Sequence, residues 1–164
     1  MSKKVAFYGV FASLAVTIAF LERFIPVPTL PGAKLGLANV VVLMVLYTYN
    51  ARSALPVAVL RIVVVGLLFG SITSMAYSIS GGLLSFVIMI VAKKIGIFGV
   101  VGVSVLGGVA HNVAQIAVAA AVVGDIRLFY NLPWLILIGA ATGVLVGYTA
   151  GFSVNNIKVI QRFR

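Results

Sequence analysis

Only two of the 164 residues carry a carboxylate side chain, Glu22 and Asp125, while 63% of the chain is hydrophobic. Charged residues make up 9% of the sequence, against roughly 25% in an average soluble domain. A charged side chain at the centre of a bilayer costs on the order of 2.5–3.5 kcal/mol on insertion scales, so a chain that crosses membranes avoids such residues. The sequence therefore predicts one integral membrane domain over residues 1–164.

The same scarcity of acids argues against several kinds of chemistry. With only Glu22 and Asp125 in the whole chain, two-carboxylate catalysis and Mg²⁺ binding on paired acids are close to impossible. One histidine and no cysteine do not fill a metal coordination shell, and there is no G-x-x-x-x-G-K-[ST] loop for ATP. We therefore expect no enzyme activity, no metal and no cofactor. The net charge of +10 is spread in short clusters between apolar runs, which does not favour nucleic-acid binding.

The apolar runs predict an all-α bundle of six transmembrane helices. They cover about residues 5–25, 35–49, 54–74, 79–92, 98–123 and 132–152. Prolines and a glycine in residues 26–32 predict an ordered, extended loop after the first span. The boundary between the third and fourth spans is open, because part of residues 73–82 either links two spans or re-enters the membrane.

The distribution of lysine and arginine predicts the orientation of the bundle. With the N-terminus in the cytoplasm, eight of the 12 basic residues fall in inner segments and three in outer segments, as the positive-inside rule requires. Both termini are then cytoplasmic, and Glu22 and Asp125 lie at the outer face. Arg61 lies within a span with no acid predicted beside it, so we expect it to reach the cytoplasmic headgroups or to bind a partner.

Polar residues inside the spans are the candidates for a binding site, because they are costly there. On the fifth span, Gln115 lies three and four residues after Asn112 and His111, which places it beside both. Basic residues of the nearby loop could attract an anionic group. The predicted substrate-binding residues are His111, Asn112, Gln115, Asn39, Lys34, Arg23, Ser74 and Tyr77. Interhelical hydrogen bonding is the alternative, above all for Asn39 and the serines.

Small residues predict where helices pack closely. Glycines recur every fourth residue on the sixth span, at Gly139, Gly143, Gly147 and Gly151. This spacing predicts a groove for another backbone within the bundle. Ala12, Ala15 and Ala19 form a similar small face on the first span.

Two stretches carry a family resemblance. G-A-K-L-G-L-A-N occupies residues 32–39, and A-H-N-x-x-Q occupies residues 110–115. With Leu60-Arg61 and segments 69–71 and 77–82, they resemble the bacterial membrane family labelled heptaprenyl diphosphate synthase component I, also called the Gx transporter family, over about residues 5–152. That family is in turn similar to the substrate-binding S components of energy-coupling factor (ECF) transporters.

The resemblance implies a role and partners for this chain. S components are six-helix proteins of the bacterial cytoplasmic membrane that bind vitamins or related micronutrients from outside, under the loop between helices 1 and 2. Through an A-x-x-x-A face on helix 1 they dock on a transmembrane T subunit driven by two ATPases. Ala15 and Ala19 match that motif, so they and Arg61 are the predicted docking residues. The synthase label hints at a substrate related to isoprenoid or quinone metabolism.

Two other functions stay open at the level of sequence. One is a non-catalytic membrane subunit associated with polyprenyl diphosphate or quinone synthesis, or with flavin-linked electron transfer. The other is an oligomeric channel, in which several copies would supply a ring of selectivity residues. The substrate cannot be named from these residues.

Overall fold

The computed structural model describes the backbone of residues 2–25 and 34–162, with side-chain burial for residues 5–25 and 34–157. The described chain is helical and contains no strand, which confirms the predicted all-α class. The predicted extended loop of residues 26–32 lies outside the described residues. The α-helices are α1 Ser2–Glu22, α2 Asn39–Thr48, α3 Ala51–Phe69, α4 Ile72–Ile95, α5 Val100–Val123 and α6 Leu132–Arg162, with a 3₁₀ helix at Ile126–Asn131.

Helix α2 is shorter than a membrane span and forms the centre of the bundle. The other five described α-helices are long and apolar enough to cross a bilayer, whereas the 10 residues of α2 rise only about 15 Å. Leu43 and Val45 of α2 have no exposed surface, and α1, α3, α4 and α6 all contact this helix. The predicted second span at 35–49 is therefore a short buried core helix that begins at Asn39.

The boundary between the third and fourth helices differs from the predicted one. Helix α3 ends at Phe69, and Ser71 caps α4 by accepting a hydrogen bond from the Ser74 N–H at 3.1 Å. Ser74 and Tyr77 thus belong to α4, and residues 78–82 lie inside that helix. The prediction that part of 73–82 links two spans or re-enters the membrane is wrong, because the serine cap starts a new helix seven residues earlier than the predicted fourth span.

The glycine groove of α6 packs against α5, as predicted. A Cβ atom at Gly143 would lie 2.6 Å from Val105 Cα, and one at Gly147 would lie 2.6 Å from Val101 Cα. A Cβ at Gly139 would lie 2.7 Å from the Gly108 carbonyl oxygen. The two backbones therefore touch along the groove, an approach that only glycine permits.

The small face of α1 points into the bundle. Ala15 has no exposed surface and Ala19 is 4% exposed, and Ala19 packs in an apolar cluster with Ala38 and Val65. The small side chains allow α1 to lie close to α2 and α3. Ala15 and Ala19 are therefore covered by neighbouring helices in the described chain, and their role in docking a partner stays a prediction.

Gly143→Ala tests the contact between α5 and α6. Besides Val105 Cα, the new methyl group would meet the Ser104 carbonyl oxygen at 2.9 Å, so we expect a loss of about 1–3 kcal/mol in the free energy of unfolding. The measurement is the thermal midpoint of the detergent-purified protein. Gly9→Ala is the matched control, because a Cβ there has no described atom within 4 Å. Equal midpoints for the two variants would contradict the packing.

Candidate functional site

Polar side chains from several helices converge at one end of the bundle. Helices α1, α3 and α5 finish at this end, α4 and α6 begin there, and residues 34–38 lead into α2. We call this the loop end, and residues 34–38 the cover segment. The positive-inside rule predicts that the loop end faces outward.

Glu22, the last residue of α1, turns into the loop end rather than to the surface. It is 3% exposed, and its Oε1 accepts a hydrogen bond from the Gly36 N–H at 2.5 Å. The backbone amides of Leu37 and Ala38 also face this carboxylate. No described side chain caps the start of α2, so Glu22 supplies the negative charge that a helix N-terminus attracts. The prediction that Glu22 lies at the outer surface is therefore wrong.

Arg61 is buried in α3 and does not reach the cytoplasmic headgroups. It is 6% exposed, and its Nε has no hydrogen-bond partner among the described residues. The charge of Glu22 acts on it, but within the described chain the two groups are not in ion-pair contact. The predictions that Arg61 snorkels to the cytoplasmic side and has no acid near it are wrong, because the end of α1 brings Glu22 close to α3. Its role in docking a partner stays a prediction.

His111 and Gln115 form a buried pair on α5. His111 is 2% exposed and Gln115 is 1% exposed, and Gln115 Nε2 lies 2.7 Å from His111 Nε2. Gln115 Oε1 accepts the Lys34 backbone N–H at 3.2 Å. Since the amide oxygen is used as an acceptor, the amide nitrogen donates to Nε2, and the neutral imidazole carries its hydrogen on Nδ1.

The Nδ1 atom of His111 is a donor without a well-formed hydrogen bond in the described part of the chain. It faces the backbone of α4, where a Cβ at Gly81 would lie 2.9 Å away and the Gly81 backbone acts on the ring. A Cβ at Gly82, the next residue of α4, would lie 3.2 Å from Arg61 Nη2. The two glycines therefore leave the space that the imidazole and the guanidinium occupy.

Lys34 fixes the cover segment to α4. Its Nζ donates to Ser78 Oγ at 2.8 Å, and that hydroxyl donates to the Ser74 carbonyl oxygen at 2.8 Å. Burial lowers the pKa of Lys34, and the Glu22 carboxylate opposes this shift. With the bonds from Gly36 to Glu22, from Lys34 to Gln115 and from Thr142 Oγ1 to the Leu35 carbonyl oxygen, four polar contacts hold the cover segment in place.

A small cavity lies beneath the cover segment. Its polar lining comes from Lys34, Arg61, Ser78 and His111, with Gly36 at its edge. The space is narrow and has room for roughly one or two water molecules. A larger molecule therefore enters only if the cover segment moves.

The other predicted site residues lie apart from this cavity. Asn112 Nδ2 donates to the Leu135 carbonyl oxygen at 2.7 Å, which ties α5 to α6. Asn39 donates to Ser85 Oγ at 3.4 Å and lines a separate, smaller space. These two amides make the interhelical hydrogen bonds that were the alternative interpretation.

Ser74, Tyr77 and Arg23 also contribute no side chain to the cavity lining. Ser74 offers only its carbonyl oxygen, to Ser78. Tyr77 packs in an apolar cluster with Ile116 and Leu135. Arg23 is exposed, with its guanidinium 5.4 Å from the centre of the Phe69 ring. Of the predicted substrate-binding residues, the structure brings together His111, Gln115 and Lys34.

Sequence reasoning missed Glu22, Arg61 and Ser78 as members of this site. The available signal was electrostatic: Arg61 is the one basic residue in the middle of a predicted span, and Glu22 is an acid near the end of another. Two opposite charges in an apolar chain favour proximity, because each costs less near the other.

The second acid, Asp125, is not part of this site. Asp125 caps the 3₁₀ helix and binds Arg127 with an O···N distance of 2.9 Å. The hydrogen bonds from Arg127 hold the pKa of Asp125 below its usual range. No cluster of three or more histidines and acids occurs in the described residues.

The fold and site define a multi-pass helical membrane protein with a buried polar site at one end. The chain belongs to the family described as heptaprenyl diphosphate synthase component I, which matches residues 11–153 and confirms the predicted membership. Comparisons with curated proteins and with solved structures give no match.

Glu22→Ala tests the anchoring of the cover segment. Loss of the acceptor leaves backbone amides unpaired, at about 1–3 kcal/mol. We expect roughly 5- to 150-fold faster hydrogen exchange of the amides of residues 36–38, measured by mass spectrometry or NMR. Asp125→Ala is the control, since it removes only the contact with Arg127. Wild-type exchange rates at 36–38 in Glu22→Ala would contradict the anchoring role.

Proposed function

We propose that this protein is the substrate-binding membrane subunit, similar to an S component, of an ECF-type transporter. It captures a small micronutrient or metabolic precursor at the loop end. The observation that carries the proposal is the cavity beneath the cover segment, where Arg61 Nε and His111 Nδ1 are both buried without a well-formed hydrogen bond in the described chain. Such groups cost about 1–3 kcal/mol each and call for a specific explanation, which a ligand supplies.

The groups in the cavity favour recognition over catalysis. The Glu22 carboxylate is occupied by backbone amides, and His111 Nε2 is occupied by Gln115. The groups left over are therefore hydrogen-bond donors, and general base catalysis needs a group free to accept a proton. We propose that the chain acts by binding and has no catalytic activity of its own.

The cover segment provides a route for entry. Its four polar contacts, to Glu22, Gln115, Ser78 and Thr142, contribute on the order of 1 kcal/mol each. An open state a few kcal/mol above the closed one is populated often enough for a ligand to enter and shift the equilibrium. The positive-inside rule places this entrance on the outside of a bacterial cytoplasmic membrane.

Transport requires energy that this chain does not supply. The sequence has no P-loop, so the proposal includes a transmembrane T subunit and two ATPases as partners. Ala15, Ala19 and Arg61 remain the predicted docking residues, although all three are buried in the described chain. The lipid-facing side chains of α1, among them Val10, Leu14 and Leu21, are exposed and apolar.

Mass spectrometry of the purified protein tests the capture of a small molecule. We expect one compound to copurify with the wild-type chain, and His111→Ala and Gln115→Ala to retain at least about tenfold less of it, because each removes a buried polar partner. Thr149→Ala is the control, since its exposed hydroxyl bonds only within α6. Equal recovery from all four proteins would rule out this cavity as the binding site.

The family description favours one other function, a membrane subunit that works with a polyprenyl diphosphate synthase. Affinity purification from the native membrane separates the two. Copurifying T and ATPase subunits support transport. A stoichiometric complex with a soluble synthase, and no ATPase, supports the second function.

A further inference from the structure

We infer that the captured molecule carries one anionic group, a carboxylate or phosphate, which binds between Arg61, Lys34 and the Nδ1–H of His111. The inference rests on the proposed function and names the chemical class of its substrate. It follows from the charges, the donors and the shape of the cavity.

The charges around the cavity do not balance. Arg61 and Lys34 are basic and line the space, Arg23 is a further cation that acts on Lys34, and Glu22 is the one acid that acts on both lining residues. Positive charge is therefore in excess around a partly buried, largely apolar space, where an ion without a counter-charge is costly. A ligand with a single negative charge removes this imbalance.

Glu22 does not satisfy Arg61 in the closed structure. Its carboxylate is turned toward the amides of residues 36–38, and the described residues show no ion pair between it and the guanidinium. The acid therefore fixes the cover segment, and the guanidinium stays available on the cavity side.

The unused groups are mainly donors. Arg61 Nε has no acceptor in the described chain. His111 Nδ1 makes no well-formed hydrogen bond there, although the Gly81 backbone acts on the ring, and Lys34 Nζ uses one of its three hydrogens on Ser78. A carboxylate or phosphate offers several acceptors and no donor, and the guanidinium fork binds such groups with two parallel hydrogen bonds. A neutral amide or alcohol would bring a donor of its own, for which the polar lining offers only the Ser78 hydroxyl as an acceptor.

The remaining walls define what is attached to the anion. Ala19, Ile62 and Val65 complete the lining, so the atoms next to the charged group contact hydrocarbon. Gly81 and Gly82 leave room for the imidazole and the guanidinium, and a Cβ at Gly82 would lie 2.8 Å from Ile62 Cδ1. The cavity thus suits a small oxyanion on an apolar body.

Thermal stabilisation by simple anions tests the inference on the full chain in a neutral detergent. The probes are sodium acetate and inorganic phosphate, with acetamide as the neutral analogue of acetate and sodium chloride to keep ionic strength constant. We expect a saturable rise in the midpoint with acetate, phosphate or both, and none with acetamide. Which anion acts distinguishes a carboxylate from a phosphate ligand. Stabilisation by phosphatidylglycerol alone would overturn the inference in favour of a lipid.

Arginine variants assign the effect to the cavity. Arg61→Gln should weaken the apparent anion affinity at least about tenfold, because a charge-assisted pair is lost. Arg61→Lys keeps the positive charge but loses the forked guanidinium, so its anion affinity should lie between those of Arg61→Gln and the wild type. Arg52→Gln, at an exposed position, should match the wild type. If Arg61→Gln does not fold, Arg61→Lys and the wild-type acetate and acetamide titrations carry the test, and equal responses to acetate and acetamide overturn the inference.

The failure of this inference differs from the failure of the proposed function. A neutral or cationic compound that copurifies and depends on His111 would overturn the anionic substrate and leave capture intact. No copurifying compound and no response to either anion would contradict both.

Discussion

The placement of the Glu22 carboxylate on the backbone amides that precede α2 organises the loop end of this bundle. Helix α2 is short and buried, and no described side chain caps its start. An acid at the end of α1 supplies the missing acceptor. Because this contact joins α1 to the cover segment, it also brings a negative charge close to Arg61 and Lys34. One hydrogen-bonded carboxylate thus fixes the backbone, the cover and the electrostatics of the cavity.

Much of the fold follows from periodic features of the sequence. Apolar runs predict helices, and glycines at every fourth position of α6 predict its contact with α5, which the structure shows. The predicted start of α4 was wrong because a single serine at position 71 caps the helix. This local cap outweighs the small polar residues that follow it. The shortness of α2 was missed because its composition is that of a span, and only the surrounding helices show that it is enclosed.

The site was predictable where its members share one helix. The spacing of His111 and Gln115 places them side by side, and Lys34 was included because it is a basic residue of the loop predicted to lie near them. Arg61 and Glu22 come from other helices. Their proximity depends on the tertiary structure, which the periodicity of the sequence does not predict. Asn112 was wrongly assigned to the site. Its neighbours in sequence belong to the site, whereas its own side chain donates a hydrogen bond to α6. Buried polar residues on one helix therefore divide between recognition and packing.

An experimental density map of the protein purified from its native membrane tests the central claim most directly. The account predicts density for a small anionic molecule in contact with the Arg61 guanidinium and the His111 Nδ1, while Glu22 stays on the amides of residues 36–38. A map in which the Glu22 carboxylate pairs directly with Arg61, with no molecule between Arg61 and His111, would contradict it.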